Sequence, residues 1–218
     1  MVLVVDNNHQ NPSIMETTLQ NSKTLHLYRA KGLSLFYKNG YYNTSIDEIC
    51  NNLSLSKETF FDSFISKEEF FVGIAQNLIL QKTLNLLIEP VTYKQSPFPL
   101  ILDMLQADLE DAANNENDNG FILGNFITEF NQKNKRLNKY LADILKIWEV
   151  NLISLFRKGQ TDGYVRREID CEGVANHVIS SYIGVRTLMV EGNAHQLADQ
   201  FNQQLRYYFH SISRTYLN

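Results

Sequence analysis

Residues 33–68 read LSLFYKNGYYNTSIDEICNNLSLSKETFFDSFISKE, and the punctuation of this stretch decides the fold. Leu25, Tyr28, Gly32, Leu33 and Phe36 recur at helical spacing, and Asn39-Gly40 is a helix stop, since glycine takes the left-handed conformation that closes a helix. Thr44-Ser45-Ile46-Asp47 reads as a capping box that opens a short helix through Ile49, Cys50 and Leu53. A break at Ser54 follows, and Ser56 then caps a helix from Lys57 to Phe64. Ser66-Lys67-Glu68-Glu69 is a second S-x-x-E box, starting a longer helix through Phe70, Ile74, Leu78 and Leu84 that Pro90 ends. Three helices with a tight turn between the second and third are the minimum unit that lays one helix in a DNA major groove about 12 Å wide. Residues 23–70 are therefore expected to form a helix-turn-helix DNA-binding head.

The flanks continue the helical reading. Residues 1–22 hold no Lys or Arg and many Asn, Gln, Ser and Thr, which predicts a disordered arm. Met15 opens a natural-looking start, so residues 1–14 are read as an extension or a misassigned start. Pro90, Pro97 and Pro99 make 90–99 the expected link into a second region. Beyond it the pattern gives helices near 98–115, 120–131, 135–161, 170–191 and 194–215, with turns at 114–119, at Asp162-Gly163 and at Gly192-Asn193. No run of alternating residues suggests a strand. The expected fold is all-α: a three-helix head, then a helical bundle over 71–218 for ligand binding and dimerisation.

Bulk numbers set the class. At 218 residues, 44% hydrophobic and 20% charged, the chain can bury a full core, which excludes disordered and collagen-like classes. Cys50 and Cys171 stand far apart without metal-ligand spacing, which suits a reducing cytoplasm and argues against structural zinc. Cys50 is read as packing, and Cys171 is a poor redox centre between Asp170 and Glu172. No apolar run reaches the roughly 18 residues a membrane span needs. His9, His26, His177, His195 and His210 have no metal spacing, and no phosphate loop or nucleophile elbow is present, so neither an enzyme nor a cofactor is expected. The net charge of −4 lends DNA binding no support, because phosphate neutralisation normally calls for a basic footprint. Residues 23–73 carry six basic side chains (Lys23, Arg29, Lys31, Lys38, Lys57, Lys67) and six acidic ones, so the head itself is neutral.

Within the head, Thr44, Ser45, Ser56, Lys57 and Thr59 stand where small donors and one cation reach phosphates or bases. Lys67 adds a cation at the next helix N-terminus, where free backbone N–H groups already favour an anion. Glu58 can accept from cytosine N4, or stand as an ordinary solvated charge. Of Tyr41 and Tyr42, one is expected to pack and the other to face a phosphate.

The run from Leu33, Phe36, Gly40, Tyr41, Thr44, Ser45, Ile46 and Ile49 through Leu55, Ser56, Lys57, Thr59, Phe60, Phe61, Phe64, Ser66, Lys67 and Glu68 resembles the DNA-binding head of the TetR/AcrR family of transcriptional regulators. Gly120, Gly124, Asn125 and Glu129, then Trp148, then Gly159 to Gly163, are similar to the ligand-binding half of its AcrR/NemR-like branch. The resemblance implies a cytoplasmic, homodimeric, one-component repressor that binds a palindromic operator. A small-molecule effector in the second domain would re-space the two heads and release the DNA. It also implies that Lys57, Thr59 and Phe61 lie on the recognition helix and that Thr44 and Lys67 clamp phosphates. The sequence departs from the family at Phe61, where a tyrosine is usual, at Asp62 and Ser63, at Glu58, and at Ser54 in place of the turn glycine. Those departures keep a second reading open: a TetR-like effector-binding or protein-interaction module that has lost DNA binding.

Met104, Phe121, Asn125, Phe126, Trp148, His177, Tyr182 and Arg186 are the candidate effector contacts, polar groups within otherwise apolar helices being the better pointers. A core or dimer-interface role for Asn125, His177 and Arg186 stands beside that reading. The dimer face is assigned to the last two helices through Val178, Tyr182, Val185, Leu197, Phe201, Leu205 and Tyr208.

Overall fold

The computed structural model describes residues 12–87 and 95–214. The sequence reading of residues 1–11, and of Pro90 as a helix stop, lies outside them. Ten α-helices follow in order: α1 (Pro12–Asn39), α2 (Ile46–Leu53), α3 (Lys57–Phe64), α4 (Lys67–Ile74), α5 (Leu80–Leu84), α6 (Pro97–Ala113), α7 (Ile122–Phe130), α8 (Lys135–Asp162), α9 (Cys171–Leu188) and α10 (Ala194–Ile212). A π-helical turn, Ala75–Ile79, joins α4 to α5. Among the described residues there is no strand, only one isolated bridge between Val165 and Ser213. No helix among them is long and apolar enough to cross a membrane.

Two boundaries differ from the sequence reading. Helix α1 begins at Pro12, so residues 12–22 are helical rather than part of a disordered arm. Proline fits the first helical position because its missing N–H would have no intrahelical partner there. The cap of α2 is Ser45, one residue later than read. Its hydroxyl accepts from Glu48 N, and the Glu48 carboxylate in turn accepts from Ser45 N. Ser56 and Ser66 cap α3 and α4 as expected, each accepting from the N–H three residues on. Ser54 takes the left-handed conformation (φ 58°, ψ 44°) that the absent turn glycine would have supplied.

The head closes on a phenylalanine core. Phe36, Phe60 and Phe70 are fully buried, and the Phe64 ring lies tilted against Phe70 with centroids 4.5 Å apart. Gly32 lets α1 cross α4 closely: a Cβ there would fall 2.5 Å from Phe70 Cε1. In the second region α6 to α10 pack around Leu105, Trp148, Leu152, Phe156, Tyr182 and Phe209. Phe71 joins the two cores, with its ring 5.7 Å from Phe36 on one side and 5.0 Å from both Phe126 and Phe130 on the other. Both cysteines are free and buried, and burial raises both thiol pKa values, which keeps them protonated.

Candidate nucleic-acid interface and effector region

Helix α3 turns Phe60 and Phe64 inward and leaves Lys57, Glu58, Thr59, Phe61, Asp62 and Ser63 exposed. Its first turn is tightly braced. Ser56 Oγ accepts from Thr59 N and lies 3.1 Å from Thr59 Oγ1. Glu58 folds onto its own backbone N–H and the Ser56 hydroxyl, which lowers its carboxyl pKa. Lys57 meets Asp47 of α2 at 2.6 Å in a solvent-exposed ion pair. Phe61 packs edge-on against Phe60 at 5.5 Å and remains 44% exposed.

Two expected phosphate clamps do not present their side chains. Thr44 is 1% exposed, and its hydroxyl donates to Gly40 O at 2.7 Å, finishing the α1 C-terminus rather than facing solvent. Lys67 reaches back over the Tyr41 ring at 4.2 Å and donates to Tyr41 O and Thr44 O, both at 2.6 Å. Burial depresses its pKa. A half-buried cation satisfied by two carbonyls braces the α1–α2 turn instead of searching for an anion. Of the tyrosine pair, Tyr41 is buried, and burial, followed by the Glu68 charge, pushes its pKa up to about 12. Tyr42 is exposed.

Three polar seams tie the head to the bundle. Glu129 of α7 accepts from Tyr41 N at 3.0 Å and Tyr42 N at 2.9 Å. Arg136 of α8 binds Glu68 at 2.9 Å and Glu69 at 2.8 Å, with Asn134 donating to Glu68 as well. Tyr37 of α1 donates to Gly120 O at 2.5 Å and accepts from Asn119 N at 2.8 Å. Burial and the nearby Asp118 carboxylate push the Tyr37 hydroxyl up to about 12, so it stays a donor.

The third seam continues into the bundle. Asp118 accepts from Gly120 N at 2.9 Å and from Arg186 Nη2 at 2.6 Å. Arg186 Nη1 reaches Asp108 at 2.6 Å and Tyr182 Oη at 3.1 Å, and the Tyr182 hydroxyl donates to Asp108. Burial opposes the Arg186 charge, but Tyr182, Asp108 and Asp118 outweigh it and raise its pKa. Tyr37, Asp108 and Asp118 were not singled out in the sequence, and Glu129 stood there only as part of the family pattern. The available signal was Arg186 itself, a cation on an apolar helix face that demands a carboxylate partner.

The candidate effector residues divide. Phe121, Trp148 and Tyr182 form one buried cluster with ring centroids 5.4–5.8 Å apart, and Arg186 adjoins it through Tyr182. Met104 is partly buried against the core, and Phe126 belongs to the head–bundle junction. Asn125 is exposed, donating to Asn119 O at 2.5 Å, and His177 is exposed on the outer face of α9, 4.5 Å from the Tyr208 ring. Neither of the last two lines the bundle interior. A groove of about 540 Å³ runs outside α8, between Lys146, Arg157, Lys158 and Glu172, and includes none of the expected effector residues.

The dimer assignment is corrected on four residues. Val178 and Tyr182 are 0% exposed, Val185 is 8% and Leu205 is 4%, so these side chains already fill the protomer's own core. Leu197, Phe201 and Tyr208 remain partly open on α10. Helix α9 carries apolar residues on more than one side, and periodicity identifies a stripe without saying which way it points.

Known proteins match both halves. The family described as bacterial regulatory proteins, tetR family, matches residues 30–74, and the tetracyclin repressor-like C-terminal domain matches residues 99–205, together well over half the chain. The HTH-type transcriptional repressor DhaR of Mycobacterium sp. (strain GP1) is 26% identical over 179 residues, covering 78% of this chain and 84% of that protein. A TetR transcriptional regulator from Chloroflexus aurantiacus superposes with a TM-score of 0.74 at 20% identity, covering 89% of this chain and 98% of the other. The reduced form of NemR from E. coli gives 0.74 at 14% identity, over 90% and 100%. The chain belongs to the tetR family of bacterial regulatory proteins and is a transcriptional regulator rather than an enzyme.

Proposed function

We propose that the protein is a homodimeric, effector-released repressor that binds a two-fold operator with one α3 in each of two successive major grooves. The observation that carries this reading is the braced α3, its outer face open, on a head tied to the bundle through Glu129, Arg136 and Tyr37. Two heads on one DNA face must stand about 34 Å apart, or a multiple of that. Helix α4 begins in the head at Lys67, capped by Ser66, and continues through the π turn Ala75–Ile79 into α5 against the bundle, so a small tilt changes that separation. The effector site assigned by this reading is the Phe121–Trp148–Tyr182 cluster. Trp148 Nε1 is buried there without a hydrogen-bond partner among the described residues, so an effector carrying an acceptor gains a bond by entering. The head is taken as residues 23–70 and the bundle as 71–218, acting in the cytoplasm.

The reading is tested by fluorescence anisotropy with a DNA fragment from the protein's own upstream region against random DNA. Specific binding with an unusually shallow salt dependence is expected, a slope in log K against log salt of about −4 or less in magnitude. Each neutralised phosphate contributes about 0.9, Lys67 is engaged by two carbonyls within the head, and Lys57 must leave its exposed pair with Asp47 to meet a phosphate. No preference over random DNA in any effector state would favour a module that has lost DNA binding.

The dimer face under this reading is the outer side of α9 and α10: His177, Ser180, Gly184 and Leu188 against Leu197, Phe201 and Tyr208 of the second copy. A Cβ added at Gly184 would meet nothing within 4 Å beyond its own helix, which leaves room for a partner helix to approach its backbone. Gly184→Arg is therefore expected to fold normally and run as a 25.2 kDa monomer in light scattering, with operator affinity lost. An unchanged dimer mass would rule this face out.

A further inference from the structure

The outward face of α3 is chemically one-sided. Glu58, Phe61 and Asp62 follow i, i+3, i+4 spacing opposite the buried Phe60 and Phe64, so they share the side that a groove would meet. Phe61 is 44% exposed. Ile65, held just past the helix end with φ 59° and ψ −49°, is 80% exposed. This backbone region is unfavourable for a β-branched residue, yet it thrusts the side chain outward.

The four base edges in the major groove ask for different partners. Guanine shows two acceptors and is read by Arg or Lys, while adenine is read by Asn or Gln. Residues 57–65 contain no Arg, Asn or Gln, and their single cation, Lys57, is held by Asp47 at 2.6 Å. The Thr59 hydroxyl is engaged with Ser56. The Ser63 hydroxyl donates to Thr59 O, so what remains are the carboxylates of Asp62 and Glu58, the latter with lone pairs beyond those given to its own N–H and Ser56, which accept from cytosine N4, and apolar groups, which pack on the thymine C5-methyl. Both belong to pyrimidines.

Resting on the DNA-binding reading above, we infer that α3 reads a pyrimidine-rich strand in each half-site, with Phe61 the specificity-determining residue through thymine methyl groups. The ring is fixed by its edge-on contact with the buried Phe60, so it meets the groove as a preformed apolar surface rather than a mobile side chain. Glu58 supplies the acceptor for a neighbouring cytosine. The acidic face also disfavours guanine on the strand it tracks, because carboxylates repel the O6 and N7 acceptors.

The test begins with half-sites selected from random DNA by the full-length protein. Affinity is then measured on the selected site and on a copy in which the half-site thymines are replaced by deoxyuridine, which lacks only the C5-methyl. Removing one buried methyl from each half-site is expected to weaken wild-type binding about ten-fold. Phe61→Ala is expected to lose a similar amount on the thymine site and to bind the uracil site no more weakly than the thymine site. Phe61→Leu, which keeps an apolar side chain, is expected to retain part of the discrimination. Wild-type affinity unchanged by uracil, with specific binding intact, would overturn this inference and leave the repressor reading standing. The same result follows if Phe61→Ala keeps full uracil sensitivity, since the methyl would then act through DNA shape. Failure to select any site overturns both.

Discussion

Arg186→Ala is expected to lower folding stability by about 3 kcal/mol, read as a drop in the urea midpoint with an unchanged slope. The guanidinium lies at the meeting point of four acceptors: Asp108, Asp118, the Tyr182 hydroxyl and the Gly120 carbonyl. Its side chain is only 8% exposed and that of Asp118 is 15% exposed, so truncation leaves the Asp118 carboxylate uncompensated away from bulk water. Asp108 is 36% exposed and can be solvated once Arg186 is gone, which places the loss at the lower end of the range for broken buried pairs. Arg186→Lys should recover less than half, because an ammonium cannot span Asp108 and Asp118 with two separate nitrogens. A loss below about 1 kcal/mol would mean that water had already screened the cluster. The same variant should loosen the loop at Asp118–Gly120, and with it the Tyr37 seam that holds α1.

The head was readable because its information is local. Caps, a glycine stop and the inward spacing of phenylalanines lie within a few residues of what they control. The same locality set the errors. Thr44 and Ser45 are adjacent cap residues, and only the burial of Thr44 against Gly40 decides that Ser45 opens α2. Lys67 stands at a helix N-terminus in sequence, but the carbonyls of Tyr41 and Thr44, more than twenty residues away, capture it first. Long-range partners carried no such mark. Arg186 announced a need for carboxylates, yet Asp108 and Asp118 lie 78 and 68 positions away among 24 acidic residues. Glu129 was visible only as part of a family pattern, because its partners are the backbone amides of Tyr41 and Tyr42 rather than side chains. Val178 and Tyr182 were assigned to a dimer face because a helical stripe has a position but no sign.

Phe71→Ala should produce the second large effect, about 3–5 kcal/mol, and it should act on cooperativity as well as on stability. The ring is fully buried and touches Phe36 and Tyr41 in the head and Phe126 and Phe130 on α7, all with centroids 5.0–5.7 Å away. Each aromatic contact adds about 0.5–1.5 kcal/mol beyond buried area, and the four are not independent. Removing the ring opens a cavity at the seam where head and bundle share one core, whereas Phe70→Ala opens one inside the head, among Phe36, Phe60 and Phe64. The two substitutions delete the same atoms from equally buried sites, so their raw costs should be similar. They differ in what is left joined. After Phe70→Ala the head is weakened but still continuous with the bundle through Phe71. After Phe71→Ala the apolar links left are the Tyr41 and Tyr42 rings against Phe130, beside the polar seams, and a head of this size holds little stability of its own. Calorimetry should therefore show the head melting ahead of the bundle for Phe71→Ala, as two transitions where the parent shows one. A single transition shifted by less than about 2 kcal/mol would place the cooperative link elsewhere, in the Glu129 and Arg136 seams. If the separation is seen, an effector that rearranges the bundle should also lose part of its hold over the head's DNA affinity in this variant, because Phe71 is the ring that packs on Phe36 in the head and on both Phe126 and Phe130 in the bundle.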